Sequence, residues 1–169
     1  MHFGTFMEFG TRPGGTDAEA FREGFDHAKL CEDVGLDSVW LAEFHFMPAR
    51  SVLSSPIVVA GALARLTTRV RIGMAVYVLP LTNPLRVAEE SATIDQMSGG
   101  RLDFGIGRSG FARQYNIYNI DYGESQERFE EAVTVLRKAW TGEMFSHEGK
   151  FFQVTDAQLV PTTVQRPPP

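Results

Sequence analysis

The sequence predicts an α/β protein of four strand-helix units, by count the first half of an eight-unit (β/α)8 TIM barrel, with a hairpin after the fourth helix. Three observations carry this reading. Short apolar or aromatic runs start near residues 2, 38, 70 and 102, and a helical pattern follows each. The alternation is strict, which calls for parallel strands joined by right-handed crossovers. A closed barrel takes about 250 residues, so the 169 residues here are read as a single partial domain spanning 1–169.

The elements follow in order. Residues 2–9, HFGTFMEF, form an aromatic-rich strand that stops at Gly10, Pro13, Gly14 and Gly15. Thr16 and Glu19 have capping-box spacing, and Ala18, Phe21, Phe25, Ala28, Cys31 and Val34 mark a helical face ending at Gly35. Residues 38–42, SVWLA, suit a strand buried on both faces. Ser54 or Ser55 caps a second helix that opens with Pro56 and runs to Leu66. Residues 70–78, VRIGMAVYV, read as one continuous strand. Asn83-Pro84 starts a third helix that Gly99-Gly100 ends. Residues 102–106, LDFGI, make the fourth strand, and a polar loop leads to a helix over 124–140. Glu148-Gly149 turns a hairpin within 145–154, and residues 161–169 form an extended, loose tail.

Hydrophobic residues at 43% and charged residues at 22% fit a packed domain. With 16 Lys+Arg against 21 Asp+Glu, the net charge of −5 gives no footprint for nucleic acid or an anionic membrane. Cys31 is the single cysteine and has no partner for a disulfide. No run approaches the ~20 apolar residues of a transmembrane helix, and the start shows no basic leader followed by an apolar stretch. A cytoplasmic address is expected.

Polar residues just past the carboxyl ends of parallel strands converge where such folds build sites, and Glu8, Glu43, His45 and Arg108 fall there. His45 is a candidate proton exchanger. Glu43 orients it or pairs with a basic residue such as Arg71. Arg108 presents a guanidinium suited to a phosphate beside Gly105 and Gly107. Gly105, Gly107 and Gly110 have G-x-G-x-x-G spacing, but at the fourth strand and with no helix directly after, so a dinucleotide-binding sheet is poorly supported. His2 and His147 lack partners at metal-ligand spacing, so no metal site is expected. Without a G-x-S-x-G elbow, a serine nucleophile is also unsupported.

FGTF at 3–6, DSVWLAEFHF at 37–46, the block from Arg71 to Gly110 and VQRPPP at 164–169 together resemble the amino-terminal half of the bacterial luciferase-like flavin-dependent monooxygenases. The resemblance implies reduced FMN supplied by a separate flavin reductase, dioxygen, and a small organic substrate. Some relatives use the deazaflavin F420 for hydride transfer instead. It assigns His45 and Glu43 to catalysis, a cis Ala75-Val76 peptide beneath the flavin ring, Arg108 to the FMN phosphate, Gly107 and Ser109 to backbone contacts with the flavin, and Phe6 to the cavity floor. One departure stands out: where the family often has Glu-His-His-Phe, residue 44 is phenylalanine. Because the family's remaining units complete the site, the isolated chain is expected to show little activity and to associate. A homo-oligomer, or a non-catalytic flavin-binding subunit, is therefore a further expectation.

Overall fold

The computed structural model describes residues 1–169. In chain order the elements are β1 (Gly4–Met7), α1 (Asp17–Asp33), β2 (Ser38–Leu41), α2 (Pro56–Leu66), β3 (Arg71–Met74), β4 (Tyr77–Val78), α3 (Pro84–Ser98), β5 (Leu102–Asp103), β6 (Ile106–Gly107), α4 (Ala112–Ile117), α5 (Ser125–Trp140), β7 (Phe145–Glu148) and β8 (Gln153–Ala157). They fall into two units: Met1–Tyr77 with Arg101–Gly105, and Val78–Gly100 with Ile106–Pro169.

In the first unit β1, β2, β3 and β5 form one parallel sheet in that order. Met7, Leu41 and Met74 share one register rank. Strand alternation sends Val39, Leu41, Ile72, Met74 and Leu102 into the core, all fully buried. Against them pack α1 on β2 and α2 on β3, through Ala28 and Cys31 of the former and Ala60, Leu63 and Ala64 of the latter. On the other face Phe6, Trp40 and Gly73 are in register. The Trp40 ring lies over Gly73 so closely that a Cβ there would fall into it, hence glycine.

The helix ends show which local signals hold. Thr16 and Glu19 exchange the two bonds of a capping box. Ser55, expected to cap α2, makes no side-chain cap bond, and Pro56 alone marks that start. The far end of α2 is held by Arg101, whose guanidinium donates to the carbonyls of Ala64, Thr67 and Val70 and to Thr67 Oγ1 at 2.8–3.0 Å. A cation at a helix carboxyl end also opposes the helix dipole favourably. At the end of α1, the Glu32 carboxylate accepts from the backbone N–H of Thr68, Arg69 and Val70 and from the Thr68 hydroxyl. This ties α1 to the turn that feeds β3.

The runs read as single strands at 70–78 and 102–106 are each broken. A cis peptide joins Ala75 to Val76 between β3 and β4. The other run breaks between Asp103 and Ile106, and at Gly105 the Met74 carbonyl occupies the space a side chain would need, hence glycine.

In the second unit α3 packs on α5, with Ala88 and Ala92 against a face bearing Ala132, Val135 and Ala139, and the Trp140 indole N–H donates to Ser91 Oγ at 3.2 Å. Asn83 Oδ1 caps α3, and Gly99 ends it in the left-handed region at φ 67°. The hairpin β7–β8 is antiparallel and is pinned to α5 by Glu131, which accepts from the N–H of Phe151 and Phe152. Two expectations are corrected. A short helix, α4, does follow the glycine-rich run, starting at Ala112. The tail is extended but not loose: fully buried Asp95 accepts from the N–H of Val164 and Gln165 at 2.6 and 3.0 Å and from the Gln165 amide at 2.8 Å. No helix is long and apolar enough to cross a membrane.

Burial alone would raise the Glu32 carboxyl, but its backbone and hydroxyl donors outweigh that and lower it from 4.5 to about 2. A depressed folded-state value stabilises the fold above the unfolded value and loses that effect as pH falls through the folded one. Acid titration of stability should therefore show a loss between pH 4.5 and about 2 that Glu32→Gln removes. At neutral pH the same substitution should cost about 2 kcal/mol in denaturant unfolding.

Candidate functional site

In the first unit the buried pair Leu41-Ala42 is followed by Glu43, Phe44 and His45, so the register delivers three side chains at the carboxyl end of β2. His45 Nε2 lies 2.5 Å from Glu43 Oε1, with side-chain exposures of 11% and 3%. Water is largely excluded from this carboxylate-imidazole pair, and a carboxylate at that distance fixes the orientation of the ring. Of the two partners open to Glu43 from sequence, the structure gives it His45. Arg71 is instead forked onto Asp103, with Nε to Oδ2 at 2.7 Å.

Phe44 is packed away from such chemistry. Its ring lies beneath the Arg50 guanidinium at 4.3 Å, and Arg50 in turn forks onto Glu8 with bonds of 3.0 and 2.7 Å. The arrangement is a cation–π stack anchored by a bidentate ion pair. Sequence reasoning missed Arg50, whose signal lies in no local spacing: Glu8 is 42 positions away.

Ala75 follows β3 and its N–H donates to Leu41 O at 2.8 Å. Val76 is 39% and Phe6 54% exposed. Phe6 and Trp40 stand in register on the sheet face away from α1 and α2. Trp40 was also missed; its indole N–H donates to Ser38 Oγ at 2.9 Å. Ala75, Val76 and the exposed Phe6 offer slender and apolar surface that suits a flat apolar ring.

In the second unit Arg108 follows β6. Its guanidinium donates to Ser125 Oγ at 2.9 Å and lies 5.5 Å over the Tyr122 ring. The Tyr115 hydroxyl donates to the Arg108 carbonyl. Burial holds that phenol up to about 12, so it remains a donor throughout the neutral range. Arg108 is half-buried and has no carboxylate partner. A partly desolvated guanidinium left without a counter-ion fits an anionic group, and its planar fork fits a phosphate. Ser109 has φ 64°, with its hydroxyl on Gln114 Oε1 at 3.0 Å. Ser125, Tyr115 and Gln114 were not singled out by sequence reasoning.

The family model described as luciferase-like monooxygenase matches residues 1–169. The oxygenase component of a flavin-dependent trigonelline monooxygenase from Acinetobacter baylyi is 28% identical over 91% of this chain and 43% of its own. An F420-dependent glucose-6-phosphate dehydrogenase from Amycolatopsis mediterranei is 32% identical over 84% of this chain and 45% of its own. Among solved structures, the monooxygenase RslO1 from Streptomyces bottropensis superposes with a TM-score of 0.94 at 30% identity, covering 100% of this chain and 52% of that one. The FMN-bound oxygenating constituent of 3,6-diketocamphane monooxygenase from Pseudomonas putida shares the fold, with a TM-score of 0.84 at 24% identity over 94% of this chain and 44% of that one. The chain thus spans about half the length of the curated relatives it matches, and its parallel βα array is a partial barrel of their kind. With the match running from first residue to last, the chain belongs to the luciferase-like monooxygenase family.

Proposed function

We propose that this chain forms part of a flavin-dependent monooxygenase that uses reduced FMN and dioxygen to oxygenate a small organic substrate. The observation that carries the reading is Arg108, a half-buried guanidinium held by Ser125 and without a carboxylate partner. In the second unit Gly107, Arg108 and Ser109 are proposed for the phosphate end of the flavin. In the first unit Phe6, Ala75 and Val76 are proposed for its ring. Bound reduced FMN would supply the electrons that activate dioxygen. The protein's own part is to neutralise the phosphate at Arg108, to offer an apolar floor at Phe6 and Val76, and to hold or move one proton at His45 Nε2 with Glu43 as its partner.

A flavin reductase is the proposed partner, in line with the oxygenase-component naming of the Acinetobacter relative. A cytoplasmic, homo-oligomeric protein is part of the same reading, with the complete activity belonging to an assembly of more units than the four present here. The second reading is an F420-dependent oxidoreductase, favoured by the Amycolatopsis relative. A non-catalytic flavin-binding subunit is the third, favoured by Phe44.

Titrating the chain with FMN and with F420 separates the first two readings by affinity. Arg108→Ala should weaken FMN binding by about 30-fold, near 2 kcal/mol, as expected for removing one partner of a desolvated charge pair. Binding unchanged by that substitution would exclude Arg108 as the phosphate anchor.

His45→Asn should lower oxygen-dependent turnover of the assembled enzyme, fed by a reductase, about 100-fold or more. Phe44→His should leave turnover nearly unchanged, because the new ring would lie under the Arg50 guanidinium and be held neutral there. A large gain would show that the chain has lost a base at position 44.

A further inference from the structure

Ser109 occupies the left-handed region at φ 64°, uncommon for serine, and something must hold it there. Two consecutive residues of α4 hold the turn. Ser109 Oγ donates to Gln114 Oε1 at 3.0 Å and accepts from the Phe111 N–H at 3.2 Å. The Gln114 N–H donates to Phe111 O at 3.0 Å, closing the turn from the other side. The next residue, Tyr115, is fully buried and bonds the carbonyl of Arg108. Gln114 itself is only 3% exposed, and its Nε2 has no hydrogen-bond partner. Keeping a buried amide half-satisfied costs stability that an apolar residue would not. The bond it does make, to Ser109, is what the position retains in exchange.

We propose that Gln114 is a positioning residue for the phosphate-bearing ligand of Arg108, acting through the Ser109 hydroxyl to set the turn on which the guanidinium is mounted. The inference rests on the flavin reading above. Gln114 makes no ligand contact of its own. A residue that merely stabilised α4 would affect unfolding and would not couple to Ser109 in ligand affinity.

The test uses the full chain as wild type, Ser109→Ala, Gln114→Met and the double variant, with FMN affinity read by fluorescence quenching and the bound phosphate by phosphorus NMR. Each single substitution should weaken FMN about tenfold, in the range seen for residues that orient a ligand-binding group. The double variant should bind no more weakly than the weaker single, and the phosphorus resonance of bound FMN should move in Gln114→Met. Additive losses, or unchanged affinity and resonance, would overturn the proposal while leaving the flavin reading intact. Absence of flavin binding by the wild type would remove that reading and this inference with it. If Gln114→Met does not fold, Ser109→Ala carries the test, since its half-buried hydroxyl should produce the same tenfold loss and resonance shift.

Discussion

The constraint on which the first unit depends is the parallel register of its sheet. Met7 pairs with Leu41 and Leu41 with Met74, so three strands end in one rank. Whatever follows those residues in sequence emerges along one edge: Glu8 after β1, Ala42 and Glu43 after β2, Ala75 after β3. A slip of one residue would turn Val39 and Leu41 out of the core and bury Trp40 against the helices. Register, core and candidate site are therefore one specification. The proton chemistry proposed for Glu43 and His45 uses positions that packing had already fixed.

Charged side chains hold this framework mainly through the backbone. Glu32 gathers three N–H groups from the turn before β3, Arg101 gathers three carbonyls from the last turn of α2 and the residues beyond it, Glu131 holds the hairpin and Asp95 holds the tail. Loops and helix ends leave backbone groups that water or a side chain must satisfy. A single carboxylate or guanidinium serves several at once and fixes their spacing. Exposed ion pairs such as Lys29 with Asp33 contribute far less, because solvent competes for both partners.

Features set by neighbours in sequence were legible in it. The Thr16-Glu19 box, the Asn83-Pro84 start and the Gly99 stop all rest on bonds spanning a few residues, and the structure reproduces each. The apolar runs likewise located all four strands of the sheet. What stayed hidden depends on partners far along the chain. The room at Gly105 is taken by the Met74 carbonyl, the partner of Arg71 is Asp103, and Arg50 is committed to Glu8. Helix α4 escaped because its six residues carry no apolar period and its buried members, Gln114 and Tyr115, are polar-tipped. Position just past the strand ends singled out Glu8, Glu43, His45 and Arg108, while the residues that hold them, Arg50 and Ser125 among them, needed three dimensions to be seen.

The contact between Trp40 and Gly73 has a consequence for how sequences of this fold diverge. While the indole is present, no side chain can enter position 73, since even a methyl group would overlap the ring. A smaller residue at position 40 costs some packing but is not forbidden by sterics. Substitutions at the two sites are thus ordered in time: the tryptophan must go before the glycine can. A lineage that keeps the indole keeps the glycine as well, whether or not position 73 meets any ligand, for a reason internal to the sheet.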